Sequence, residues 1–255
     1  FERSELANGA ILLGQAQPDD PSMVLRFRIG AGAASDPAGL AGTAALTARA
    51  LLRGAGDLTF EQINELTDGL GASISVDPSQ LSIELRLRFL REDLARVIDL
   101  AATVLREPAF PSTEVDKVRA EIQAAIKEQD DNTRSVADRT VRKLIYPAGH
   151  PLHERVLGEG SSVTALTPDD LRAFHQRWFG PRNLTVAAVG GVSDLTAVEQ
   201  ELTRAFGDWS SQAAAPEADL STGAPRTQQR RETEIAGKSQ ADVALGFPTL
   251  SRLSD

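Results

Sequence analysis
Apolar and polar positions divide this chain into short alternating runs and longer helical ones. The apolar-rich run at residues 5–15 is centred on Asn8-Gly9, a dipeptide suited to a type I′ turn, and predicts a hairpin. Residues 23–29 have period two: Leu25, Phe27 and Ile29 fall on one side and Val24, Arg26 and Arg28 on the other, as in a half-buried strand. Residues 30–42 are small and Gly-rich and predict a loop. Residues 43–52 fit a helix of small residues packed close to its neighbours. Thr59 is placed to cap a helix through Phe60, Ile63, Leu66 and Leu70, with Gln62 at the capping-box position and Gly71 as its end. Residues 73–77 and 81–89 predict two strands broken by Asp77-Pro78, with Leu81, Ile83, Leu85 and Leu87 on one face of the second.

Residues 91–106 read as an amphipathic helix through Leu94, Val97, Ile98, Ala101, Val104 and Leu105. Pro108 and Pro111 punctuate, and Ser112 is expected to cap a helix with Val115, Val118, Ile122 and Ile126 inward. Asp130-Asp131 marks a helix break, after which residues 135–145 resume the pattern. Residues 146–160 predict a loop. Thr167-Pro168-Asp169-Asp170 is a helix start, with a capping Thr, Pro at the first helical position and acids at the positive dipole end. A strand follows at 184–189 and a helix at 195–206. The expected organisation is an α+β unit over residues 1–209, a linker at 210–231 rich in Ala, Pro, Ser, Gln and Thr, and a strand-like segment at 232–255 that opens a second unit.

Composition narrows the function classes. The chain has 255 residues, enough for a large core. It has no Cys, which excludes disulfides, thiol catalysis and Cys-bound zinc. A net charge of -9 argues against a general nucleic-acid binder. No apolar run approaches the ~20 residues that span a bilayer. Phe1 is not a natural start, so the expectation is a leader that is either removed or left out of this sequence.

Candidate chemistry is sparse. There are three His: His150 and His153 in a loop with Pro and Gly, and His175 in a later helix. A helical zinc pair needs His at i and i+4, whereas His150 and His153 are three apart around Pro151, so ordinary loop hydrogen bonds are expected of them. No Gly-x-Ser-x-Gly elbow, phosphate loop or dinucleotide fingerprint is present. Glu121 is expected on a solvated face near Lys117, and Trp178 and Phe179 in packing.

Eight ordered segments then carry a resemblance over nearly the whole chain. They are Leu6-Ala-Asn-Gly9; Arg28-Ile-Gly-Ala-Gly32 with Asp36-Pro37; Gly39-Leu-Ala-Gly42; and residues 59–73 with their Leu70-Gly-Ala-Ser73 exit. The others are Leu105-Arg-Glu-Pro-Ala-Phe-Pro111; Tyr146-Pro-Ala-Gly-His-Pro151; Leu166-Thr-Pro-Asp-Asp-Leu171 with Phe174-His-Gln-Arg-Trp178; and Pro181-Arg-Asn-Leu-Thr-Val186. Lys238-Ser-Gln-Ala-Asp-Val-Ala-Leu-Gly246 looks like the opening strand of a second repeat. Together they resemble the pitrilysin/insulinase family, which includes the mitochondrial processing peptidases.

That resemblance implies an α+β half-molecule, a mainly antiparallel sheet with helices on one side, repeated in tandem. Two such pairs form a chamber around an unfolded peptide. One repeat of the family carries His-x-x-Glu-His and a downstream Glu, which hold zinc. Carried onto this chain, the two His fall on Ala45 and Arg49, the general-base Glu on Ala48, and the third ligand near Ala124 or Ala125. Glu121 sits about a turn too early to replace it. The resemblance therefore implies no catalytic residue, metal or cofactor here, with zinc on a catalytic partner. It implies a non-catalytic subunit or half that joins a catalytic homologue, or self-associates as a dimer, around unfolded peptide. The alternative is a structural assembly protein of the same fold with no role in proteolysis. An enzyme with its site elsewhere, at His150, is a third possibility. A bacterial periplasmic or cytoplasmic location fits the family.

Overall fold
The computed structural model describes residues 1–210, 220 and 227–247. Three strands lead: β1 (Glu2–Glu5), β2 (Ile11–Ala16) and β3 (Ser22–Ile29). Helix α1 (Thr43–Ala50) follows, then two-residue strands β4 (Gly54–Ala55) and β5 (Leu58–Thr59), and α2 (Phe60–Gly69). Strands β6 (Ser73–Pro78) and β7 (Ile83–Leu90) form a hairpin. Helices α3 (Leu94–Arg106), α4 (Ser112–Asp131), α5 (Thr133–Ile145), α6 (Gly160–Ala165) and α7 (Pro168–Trp178) come next. Strand β8 (Leu184–Gly190) and helix α8 (Thr196–Phe206) complete the unit.

The main sheet has the order β1-β2-β8-β3-β7-β6. Every pairing is antiparallel except β2 with β8. The alternation seen in sequence sets the two faces. Leu12, Leu25, Phe27, Ile29, Leu85, Leu87, Val186 and Ala188 are buried in one continuous core with the helices. Among the described residues the other face of the sheet is open, with Arg26, Arg28, Arg86 and Arg88 exposed. The fold is thus α+β with helices on one side. Strand β8 is a wedge: Val186 pairs with Phe27 on one side and Leu12 on the other, so a late segment joins the first hairpin to the rest.

Several local expectations change. Of Asn8-Gly9, only Gly9 has a positive φ, so the turn is not type I′. The Asn8 amide instead donates to the Phe206 carbonyl at 2.7 Å, tying the hairpin to α8. Pro78 lies inside the ladder, opposite Ile83, and the break falls at residues 79–82. Proline is tolerated because β6 is an edge strand, where no ladder donor is lost. Ser112 is the first residue of α4 and not its cap; Pro111 takes the cap position without a side-chain bond. Helix α6 was not expected. The capping box at Thr59/Gln62 and the Thr167 cap form as predicted, and Asp170 completes a second capping box with Thr167.

Most of the expected linker lies outside the described residues. Residues 232–247 form no ladder with another described strand, although burial alternates: Asp242 and Ala244 are half-buried, Val243, Leu245 and Phe247 exposed. The segment runs along α5, where Thr133 bonds Asp242, and the two line a cavity of about 1130 Å³.

The entry to α1 is clamped by the loop before α6. Gly42 has φ 99°, and a Cβ there would lie 2.7 Å from the Leu157 carbonyl oxygen and 2.8 Å from Val163 Cγ2. Ser162 Oγ donates to the Ala41 carbonyl at 2.6 Å. Gly42→Ala is therefore expected to cost about 2–4 kcal/mol, combining left-handed strain with overpacking. Gly39 also has positive φ but open space around it, so Gly39→Ala should cost about 1–2 kcal/mol. Urea unfolding of both variants measures the difference.

Candidate functional site
Helix α1 is buried on all sides except at Arg49. It packs against α4, α7 and β6. Ala45 and Ala48 expose no surface, and both lie in the core with Leu46, Leu51, Val118 and Ile122. Arg49 is half-buried, and no acid lies within ion-pair distance of it among the described residues. On α4, Ala124 is exposed and Ala125 is half-buried against the core. The four positions onto which the resemblance carries the family's ligands and base thus hold three methyl groups and one guanidinium. Methyl groups offer no lone pair to a metal and no group to move a proton, and a guanidinium repels a dication. A catalytic metal also needs an open position for water, and sealed alanines leave none beside them.

The start of α1 is held from a distance. Gly42 supplies no side-chain cap, so Asp36 reaches in, accepting from the Gly42 N–H at 2.6 Å and the Ala44 N–H at 2.7 Å. Burial pushes the Asp36 carboxyl up to about 7, against the two amide donors, which favour its charge.

The far end of α1 is bolted to α4. Arg53, in the single 3-10 turn after α1, donates to both oxygens of Glu121 at 2.8 and 3.0 Å. Its guanidinium lies 4.5 Å from the Phe60 ring centre and 3.8 Å from Glu114. Glu121 lies on the exposed face of α4, as expected, and it also ties α4 to the turn after α1, while Lys117 pairs with Glu114.

The histidines have local partners. His150 stacks on Tyr146 at 4.6 Å, and its Nδ1 accepts from the Leu152 N–H at 3.0 Å. That bond makes Nε2 the protonated nitrogen, and it is buried without a partner. His153 Nδ1 donates to the Tyr146 carbonyl at 2.7 Å. His175 Nε2 bonds the Leu105 carbonyl at 2.8 Å, and burial pulls its pKa down. Asp130 ends α4 as expected; burial opposes its charge, but Arg139 and Arg155 hold its carboxyl below the usual range. Phe179 is buried and Trp178 packs on the core, with Arg177 over its ring. Among the described residues no three His, Asp or Glu side chains are grouped to hold a metal.

Residues 12–157 match the family model described as Insulinase (Peptidase family M16), more than half of the chain. The chain belongs to the insulinase family of peptidases. Residues 165–255 match the model of the Peptidase M16 inactive domain. An uncharacterised zinc protease of Streptomyces coelicolor is 25% identical over 260 residues, covering 99% of this chain and 56% of the relative. A non-peptidase homologue of Helicobacter pylori is 29% identical over 180 residues, covering 71% of this chain and 40% of the relative. The crystal structure of a peptidase M16 inactive domain from Pseudomonas fluorescens superposes with a TM-score of 0.80 at 23% identity, over 86% of this chain and 53% of that one. That likeness is one of fold. The chain spans about half the length of the curated insulinase-family relatives it matches. The inactive-domain match begins at residue 165, so it includes β8, although β8 completes the sheet of the first unit.

Sequence reasoning missed Asp36 and Arg53. The signal for Asp36 was a helix start at Gly42 with no capping side chain nearby. Nothing local signals Arg53, whose partner Glu121 is 68 positions away.

Two predictions follow from these ends of α1. The folded-state pKa of Asp36, about 7, lies above the ordinary 3.8, so the folded protein holds an extra proton across that window. Its contribution to stability is complete below the lower value and is lost as pH rises through the upper one. The stability advantage of wild type over Asp36→Asn should therefore shrink by roughly 2–4 kcal/mol between about pH 4 and about pH 7.5. An advantage that grows over that range refutes the burial account. Arg53→Ala should cost about 1–2 kcal/mol, because it removes the cation–π contact and leaves the half-buried Glu114 paired with Lys117 alone, while Glu121→Ala should cost under about 1 kcal/mol. Chemical unfolding of both checks the order.

Proposed function
We propose that this chain is the non-catalytic half or subunit of an insulinase-family zinc peptidase. It forms part of a peptide-holding chamber together with a catalytic homologue that bears the zinc. The observation that carries this reading is α1: the helix that matches the family's metal-binding helix is sealed into the core, with Ala45 and Ala48 fully buried and Arg49 as its one uncovered residue. The match of residues 165–255 to the family's inactive domain supports it. So does the printed name of the Helicobacter pylori relative, a non-peptidase homologue.

In this reading residues 1–209 are the first repeat, 210–231 the linker, and 232–255 the start of a second repeat whose strand needs a partner beyond the described residues. No metal and no cofactor bind at Ala45, Ala48, Arg49 or Ala125. Among the described residues strand β6 has an unpaired edge, and it packs against α1. An extended peptide would add to that edge through main-chain hydrogen bonds. Among the described residues no helix is long and apolar enough to cross a membrane. The location proposed is the bacterial periplasm or cytoplasm.

The chain alone, washed with chelator and then offered zinc, is expected to hold well under one zinc per molecule and to leave a fluorogenic peptide uncut. Stoichiometric zinc by elemental analysis overturns this. Affinity capture from the native host should bring down a homologue carrying His-x-x-Glu-His. Capture of the chain with none points instead to a structural assembly role.

A further inference from the structure
The open face of the sheet has a charge pattern opposite to that of the whole protein. Its outward positions over β3 and β7 form three rungs: Arg28 opposite Glu84, Arg26 opposite Arg86, and Val24 opposite Arg88. All four arginines are exposed. Glu84 is shared by Arg26 at 3.5 Å and Arg86 at 3.1 Å. Among the described residues no acid lies within ion-pair distance of Arg28 or Arg88. Asp20 turns its carboxyl onto Ser22 and reaches Arg88 only at longer range. On β6 the outward residues are Ser73, Ser75 and Asp77, and Asp77 faces Glu84. Four cations therefore meet two anions on these three strands, in a chain whose net charge is -9.

That arrangement is costly in the isolated chain. Like charges placed directly opposite on neighbouring strands repel, and Arg26 and Arg86 are such a pair. A face kept only for solubility would mix signs. Successive rungs are two residues apart, about 6.6 Å along the strand. Carboxylates at alternate positions of an extended chain have the same repeat. Beside the rungs, β8 and β2 present Thr185, Ala187, Val189, Leu13 and Gln15, with no charged side chain to compete for the arginines.

We propose that the open sheet face over β3 and β7 docks an acidic polypeptide segment in extended form, with alternate carboxylates on the rungs of Arg28, Arg26 with Arg86, and Arg88. Charge complementarity commits the face to this occupant. A nucleic acid is a poorer fit, because Glu84 and Asp77 and the protein's net negative charge oppose a dense polyanion. The inference needs no catalytic homologue, so its failure and the failure of the pairing proposed above are separate events.

The test uses this chain and a fluorescein-labelled peptide of about twelve residues with alternating Glu and Thr. Polarisation should show saturable binding that weakens several-fold as salt rises from about 50 to about 200 mM. The Arg28→Gln/Arg88→Gln double variant should lose about tenfold or more in affinity with an unchanged circular-dichroism melt. If the double variant melts lower, the two single variants replace it, each with an expected loss of about threefold. A matching Lys-Thr peptide should not bind. Absent binding of the Glu-Thr peptide, equal binding by a variant that melts as wild type, or equally tight binding of a single-stranded oligonucleotide of similar length overturns the proposal.

Discussion
Helix α1 is the buried pivot of this fold. Its surface is almost entirely Ala and Thr, so α4, α7 and β6 approach it closely. Close approach fixes the rest. Gly42 must take a left-handed conformation under the Leu157 carbonyl, Ser162 must reach Ala41, and Asp36 must supply the missing cap. The same packing governs the chemistry. An imidazole at position 45 or a carboxylate at 48 would be a bulky polar group in a sealed apolar core, carrying both overpacking and desolvation costs. A metal-bearing helix would need open space beside its ligands, and at positions 45 and 48 the core fills that space.

The period-two runs and the capping boxes were legible because their causes are local. Leu25, Phe27 and Ile29 alternate because one face of β3 meets the core, and Thr167, Pro168 and Asp170 satisfy orphan amides within one turn. Strand neighbours were not legible. Alternation at 184–190 identifies a strand, but nothing in it states that β8 lies between β2 and β3 and is parallel to one of them. Asn8 and Pro78 misled for a related reason. Asn8 serves a distant carbonyl on α8, and Pro78 is allowed by an edge that exists only once the sheet is assembled.

At the candidate site the small residues of 43–52 signal a closely packed helix, and α1 is buried as that pattern predicts, whereas nothing local states that α4, α7 and β6 are the elements that cover it. The loop histidines were legible too. The residues 146–153 turn places His150 on Tyr146 and His153 on the Tyr146 carbonyl, so both rings serve the loop's own backbone. His175 lies inside a helix, as its sequence context predicts. In the structure its ring is wedged between Phe110 and Phe179 and bonded to the end of α3. A desolvated imidazole with a single carbonyl acceptor is a packing device, since its neutral form is the favoured one.

Net charge is a sum over surfaces that partners never meet together. The value of -9 speaks against long-range attraction of a polyanion. It says nothing about a face in which the strand period gathers cations. The pleat sends every second residue of β3 and β7 outward, so Arg26 with Arg28 and Arg86 with Arg88, each unremarkable in sequence, become one patch when the strands pair in register. A slip of one residue would turn all four into the core. The apolar alternates Leu25, Phe27, Leu85 and Leu87 forbid that slip, so the burial that fixes the sheet also fixes the position of the positive charge.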